Sequence, residues 1–120
     1  MTFPRRGEIY LVTFDPALGH EIKKTRPALV IQNDIGNRHS SVTIVAAISS
    51  KLSSVPYPID VIVPPRRGNG LTVESAIQLG QIRSIDARRL VKRLGVLDQA
   101  TMQRVDDAIK ISLGLVPLSK

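Results

Sequence analysis

The sequence predicts a mainly β fold, a small and strongly bent sheet or barrel with one helix packed against it at the C-terminus. Three observations lead there. Most apolar runs span about five to eight residues, are rich in Val and Ile, and are bounded by Gly, Pro, Asn or Ser, which is the pattern of strands. One stretch near the end has helical rather than alternating spacing. No repeat, low-complexity tract or shift of composition divides the 120 residues, so residues 1–120 are expected to form a single domain. At this length a chain buries roughly two-thirds of the surface it exposes when unfolded, enough for a core without metal or disulfide.

The elements follow in order. Residues 9–14 (IYLVTF) form the first expected strand. An eleven-residue polar connection, 15–25 (DPALGHEIKKT), then separates it from a strand over 28–32 (ALVIQ) entered through Arg26. Pro27 disfavours the helical region for Arg26 and holds it extended. The connection 33–41 carries Asn33, Asp34, Gly36 and Asn37 as turn residues and leads into a strand over 42–49 (VTIVAAIS). Pro56 and Pro58 precede a strand over 59–63 (IDVIV), and Pro64, Pro65 and the run Gly68, Asn69, Gly70 precede another over 75–82 (SAIQLGQI). A turn over 84–89 precedes a further short strand over 90–97, with Gly95 inside it. Asp98 suits a helix N-cap, Met102, Val105, Ala108, Ile109 and Leu113 recur at helical spacing, and Gly114 with Pro117 ends the helix.

Two strands make a geometric prediction. A nine-residue connection between 26–32 and 42–49 suits antiparallel neighbours. The start of the first then lies beside the end of the second, so Arg26 and Ser49 are expected to meet.

Composition excludes several classes. With no Cys, neither a disulfide framework nor thiolate metal ligation is available. His20 and His39 are the only histidines and have no partner at ligand spacing, so no metal site and no cofactor is expected. The apolar runs are too short to span a bilayer, and MTFPRRGEIY lacks the apolar region of a signal peptide, which makes the cytoplasm the expected location and a membrane partner unexpected.

Seventeen Lys and Arg against ten Asp and Glu give a net charge of +7. Much of it sits in one stretch, where Arg66, Arg67, Arg83, Arg88, Arg89, Lys92 and Arg93 face only Glu74 and Asp86. On charge alone a solvated surface and a phosphate-binding one fit this stretch equally. The 15–25 connection holds His20, Glu21, Lys23 and Lys24 just before Arg26, and reads either as a functional loop or as a solvated one. No nucleophile elbow or Ser-x-x-Lys motif surrounds Ser49. Asn69 and its flanking glycines resemble a phosphate loop only superficially, since no Lys-Ser or Lys-Thr and no helix follows them.

The runs RRGEIYLVTFDPALGHE, KTRPALVIQNDIGNRHS, IVAAIS and QIRSIDARRL, followed by DDAIKISLGL, resemble the MazF/PemK family of toxin endoribonucleases from bacterial toxin-antitoxin pairs. The likeness runs from Arg6 to about Leu115 in the family's order and spacing. It implies an SH3-like β-barrel with a C-terminal helix, a homodimer, metal-independent cleavage of single-stranded RNA at a short sequence, and a partner antitoxin with an acidic segment. It places the family's active-site Arg on Arg26, its strand-end hydroxyl on Ser49 and its loop carboxylate on Glu21, with His20 where the family's loop has Ser. Relatives commonly carry Thr where this chain has Ser49. The hydroxyl survives, whereas the β-branch that restricts χ1 is lost.

Cleavage by a neighbouring 2′-hydroxyl needs a group to take its proton, a group to protonate the leaving 5′-oxygen, and positive charge on the phosphoryl oxygens. Arg26 suits the third task and proton donation rather than base work, because a guanidinium keeps its charge and offers a planar fork of donors. Ser49 suits hydrogen bonding to the phosphate, and Glu21 suits base or orienting work. Phe14, His20, Lys23, Lys24, Gln81 and Arg83 are the expected RNA-binding residues. With only Phe3, Tyr10, Phe14 and Tyr57 as aromatics, base selection is expected to lean on hydrogen bonds rather than an extended stacking platform. The alternative is a catalytically weak or inactive toxin-like module that binds antitoxin or nucleic acid. A DNA-binding protein has little support, since no recognition-helix pattern is present. Leu113, Leu115, Val116 and Leu118 add apolar surface beside the helix stripe, consistent with self-association.

Overall fold

The computed structural model describes residues 2–14, 25–55 and 57–117. Six strands, β1 (Glu8–Thr13), β2 (Thr25–Val30), β3 (Val42–Ser49), β4 (Asp60–Val63), β5 (Ser75–Asp86) and β6 (Leu90–Val96), form one antiparallel sheet in the order β4-β5-β3-β2-β1-β6. Three strands separate β5 from β6 in the sheet, yet only a one-turn 3-10 helix, Ala87–Arg89, joins them in sequence. So short a link requires the sheet to curl back on itself, which produces the SH3-like barrel shape without ladder pairing between β4 and β6 among the described residues.

Side chains on β2 and β3 alternate between two cores. Leu29, Ala46 and Ile48 join Val61, Val63, Ile77 and Leu79 in one cluster, whereas Ala28, Val30 and Val45 join Val12 and Ile85 in the other. Strands buried on both faces explain why these segments read as continuous apolar runs. The first cluster is completed by Val105 and Ala108 of α2 (Gln99–Ser112), with Met102 and Ile109 packed beside them. Asp98 caps α2 as expected, accepting from the Thr101 backbone N–H at 3.1 Å, and Gly114 leaves it at φ +76°. Leu113 departs from the expected stripe. It is the C-cap, and its side chain is exposed, as are Leu115 and Val116. Among the described residues no helix is long and apolar enough to cross a membrane.

Two other elements differ from expectation. The connection between β2 and β3 contains a helix, α1 (Asp34–His39), capped by Asn33, whose side-chain oxygen accepts from Gly36 N at 2.7 Å. Within it Asn37 is buried, accepting from the Thr43 hydroxyl at 2.7 Å and donating to the Gln32 carbonyl at 2.9 Å. Six residues without apolar periodicity leave no helical pattern to detect, and local side-chain bonds carry the element instead. β5 also continues to Asp86, past the expected strand end at residue 82 and into the turn expected over 84–89. Val45 pairs with Arg83, Ile44 with Ser84, Thr43 with Ile85 and Val42 with Asp86, so the polar positions on either side of the buried Ile85 are held in extended form by β3.

The RGEIY segment is largely structural. Arg6 donates to the Ile31 carbonyl at 2.8 Å and to Asp106 at 2.6 Å, tying the N-terminus to the residue that follows β2 and to α2. Glu8 accepts from Arg93 at 2.6 Å and from the Arg5 backbone at 2.7 Å.

Candidate functional site

Antiparallel pairing sets Ala28 opposite Ala47, Leu29 opposite Ala46 and Val30 opposite Val45. Carried two residues further, this register puts Arg26 opposite Ser49, at the sheet end where the sequence predicted their meeting. Both line a cleft of about 460 Å³. Its opposite wall is the segment from Gly70 to Val73 together with Leu94. Lys51, which sequence reasoning did not single out, lines the cleft as well. The only sign of it in the sequence is its position two residues beyond Ser49.

Local bonding suits this place to an anion. The Ser49 hydroxyl oxygen accepts from the Lys51 backbone N–H at 3.1 Å, which fixes the oxygen and leaves its proton free to donate. The Arg26 side chain is exposed and makes no hydrogen bond or ion pair with another described residue. Arg26 and Lys51 bring two cations beside one hydroxyl donor, and an oxyanion in the cleft would meet all three.

Glu21, His20, Lys23 and Lys24 lie outside the described residues. Phe14 and Arg83 come together: the guanidinium carbon of Arg83 lies 5.2 Å from the centroid of the Phe14 ring, a cation–π contact made across the curl of the sheet. Phe14 is half-buried and packs on the second core cluster. Gln81 does not line the first cleft. It lines a second one of about 330 Å³, whose wall also includes Lys51, so the two clefts adjoin across that side chain.

The basic stretch over residues 66–93 is partly spoken for. Arg93 pairs with Glu8, and Arg88 pairs with Asp86 at 2.9 Å. The Arg88 hydrogen bond holds the Asp86 carboxyl well below the usual range, at about 2. Arg89 donates to the Thr13 carbonyl at 3.2 Å. Arg66, Arg67 and Lys92 are exposed and form no salt bridge among the described residues, although the Asp98 carboxyl, lowered chiefly by its hydrogen bonds from Thr101, is lowered further by the Arg66 charge. Burial raises the Tyr10 phenol, with the neighbouring Glu8 charge and its hydrogen bond adding to the shift. Asn69 is consumed by its own turn, accepting from Leu71 N at 3.0 Å and donating to the Pro64 carbonyl at 3.1 Å. Among the described residues no cluster of His, Asp or Glu could hold a metal ion.

The chain is similar to known proteins along nearly its whole length. The endoribonuclease EndoA of Bacillus subtilis (strain 168) is 43% identical over 112 residues, covering 93% of this chain and 96% of that protein. In fold, the chain is similar to an endoribonuclease in complex with its cognate antitoxin from a mycobacterial species, with TM-score 0.75 at 24% identity over 97% of this chain and 99% of that one. It is similar also to MazF of Deinococcus radiodurans, again with TM-score 0.75 at 24% identity, over 95% and 99% of the two chains. The family model of the PemK-like, MazF-like toxin of type II toxin-antitoxin systems matches residues 5–113, and the chain belongs to that family.

Proposed function

We propose that this protein is a sequence-specific endoribonuclease toxin that cleaves single-stranded RNA by 2′-hydroxyl attack and is neutralised by an acidic antitoxin. One observation carries the chemical part: the β2–β3 register and the cleft bring Arg26 and Ser49 to one place, with a free Ser49 proton and two cations around it. The likeness to an endoribonuclease at 43% identity supports the same class of reaction.

In this reaction the 2′-oxygen bonds to the adjacent phosphorus, its proton passes to a base, and the P–O5′ bond breaks. A 2′,3′-cyclic phosphate and a 5′-hydroxyl remain. Arg26 offsets the negative charge that grows on the phosphoryl oxygens and protonates or hydrogen-bonds the leaving oxygen. Ser49 donates to a phosphoryl oxygen. Glu21 is the proposed base or orienting group. The attacking group belongs to the substrate, so no water has to be activated, and the proposed route calls for no metal or cofactor. Phe14 and Arg83, with His20, Lys23, Lys24 and Gln81, are proposed to bind the RNA around this centre.

The protein is further proposed to act in the cytoplasm as a homodimer of one domain spanning residues 1–120. The exposed Leu113, Leu115 and Val116 beside α2 support the dimer. The deciding experiment incubates purified protein with a long single-stranded RNA in EDTA. Discrete fragments with cyclic phosphate ends are expected, and Arg26→Ala should abolish them. Intact RNA with folded, antitoxin-free protein would reject the proposal.

A further inference from the structure

The second cleft has the features of a nucleobase pocket. Tyr57 lines it and is 64% exposed, in a chain with only four aromatic residues. Asp60, Gln78 and Gln81 line it too. Asp60 and Gln78 are direct cross-strand partners of β4 and β5 and therefore share one face of the sheet. Gln81 arrives by a different route. Ala47 pairs with Gln78 but Ala46 pairs with Ile82, so residues 79–81 are extra in β5 and bulge out of its ladder with β3. Bulges of this kind re-aim side chains beside functional sites. The side chains of Tyr57, Asp60, Gln78 and Gln81 make no hydrogen bond with another described residue. Each of these polar groups is thus available to a ligand, and one aromatic face stands among them.

We infer that this cleft is a subsite for a single unpaired base of the substrate, stacked on Tyr57 and read by Asp60, Gln78 and Gln81. The inference rests on the proposal that the protein cleaves RNA. Three features favour a base over other ligands. The cleft is at the small end of ligand pockets and suits one planar ring system rather than a folded element. Its polar groups are amides and a carboxylate, which form directional bonds to base edges. It also meets the Arg26–Ser49 cleft at Lys51, so a nucleotide seated here is near the reacting phosphate, with a cation at the junction for the intervening backbone.

The chemistry of Asp60 sets the preference. A carboxylate accepts hydrogen bonds and repels carbonyl oxygens. Adenine, cytosine and guanine each present an exocyclic amino group, whereas uracil offers only a single N3–H flanked by two carbonyls that repel a carboxylate. The subsite therefore selects an amino-bearing base and disfavours uracil at one position of the recognised sequence. Stacking, which the scarcity of aromatics argued against as a general platform, acts here at a single residue.

The test measures cleavage of short RNAs carrying the preferred site, varied one base at a time. The protein variants are the wild type, Tyr57→Ala, Tyr57→Phe and Asp60→Asn. Loss of one stacked base should raise KM of Tyr57→Ala about 10-fold, with kcat little changed. Tyr57→Phe keeps the ring and should recover most of that loss. Asp60→Asn should lower discrimination against uracil by about 10-fold at one position and leave the other positions as they were. If Tyr57→Ala cleaves with unchanged KM and unchanged sequence preference, or loses only kcat, the subsite is overturned while the nuclease stands. If the wild type itself leaves RNA intact, the nuclease proposal falls and the subsite with it.

Discussion

Arg26 stands opposite Ser49 across the β2–β3 ladder, two residues beyond the paired Ala28 and Ala47, and both line one cleft. Their proposed roles separate by substitution. Arg26→Ala should lower kcat by about 10²–10³-fold or more, the range for losing a donor aimed at developing negative charge. Arg26→Lys should recover only part of the rate, because charge returns without the planar fork. Single-turnover cleavage of a short RNA measures both.

Ser49 gives a graded test. Ser49→Ala removes the proton donor and should lower kcat by about 10²-fold. Ser49→Thr keeps the hydroxyl and restores the χ1 restriction of a β-branched residue, so its rate should equal or exceed that of the wild type. A Thr variant as slow as the Ala variant would remove the hydroxyl from the chemistry.

Gly70 and Gly95 hold the far wall of the cleft. A Cβ on Gly70 would meet the Leu94 backbone, at a φ of +75° that already disfavours other residues, and a Cβ on Gly95 would meet the Gly68 carbonyl and the Asn69 backbone. Backbone cannot yield as a flexible side chain can. Gly95→Ala should therefore destabilise the fold by about 1–3 kcal/mol, as overpacking does, with activity lost alongside stability. Gly68→Ala, where a Cβ meets nothing within 4 Å but φ is +95°, should suffer only the backbone strain. Denaturant midpoints of the two variants compare the effects.

Asn37 joins α1 to the sheet. Asn37→Ala removes the acceptor of the Thr43 hydroxyl, which is 1% exposed, and should cost about 1–3 kcal/mol in urea unfolding. Its distance in function from the cleft predicts little change in kcat of the folded fraction.

Acid stability carries the signature of Asp86. Its carboxyl titrates at about 2 rather than 3.8 because of its hydrogen bonds from Arg88, so the folded state favours the ionised form. A depressed pKa contributes stability that is complete above the unfolded value and is lost as pH falls from about 4 toward 2. Asp86→Asn should flatten that part of the acid limb by losing this contribution at pH 7 while leaving stability near pH 2 little changed, and the loss should be small because the pair is exposed and screened by solvent. Thermal midpoints from pH 2 to 5 test this, and salt should shrink the difference.

Much of this was legible in the chain because it is local. β3 has the expected bounds, and the other strands differ by a few residues, since alternating burial and turn residues act over short distances. The Arg26–Ser49 encounter was legible because a short connection between antiparallel strands converts position into register. α1 was missed because Asn33 and Asn37 stabilise it through side-chain bonds rather than periodicity. The last third of β5 was missed because Arg83, Ser84 and Asp86 leave only Ile85 as an apolar position there, and the segment is held extended by pairing with β3.

The sequence by itself determined the order of the six strands and the closing helix α2, the absence of thiol chemistry, and the pairing that sets Arg26 beside Ser49. Only the tertiary structure decided which cations remain available. Arg93 is taken by Glu8, whereas Arg83 is held over the Phe14 ring and stays exposed; the paired residues are 85 and 69 positions apart in the chain. It also decided that Lys51 joins two clefts and that Tyr57 is exposed in one of them. The reason is the curl of the sheet: contacts between distant strands depend on how far it bends, which no local pattern of residues encodes.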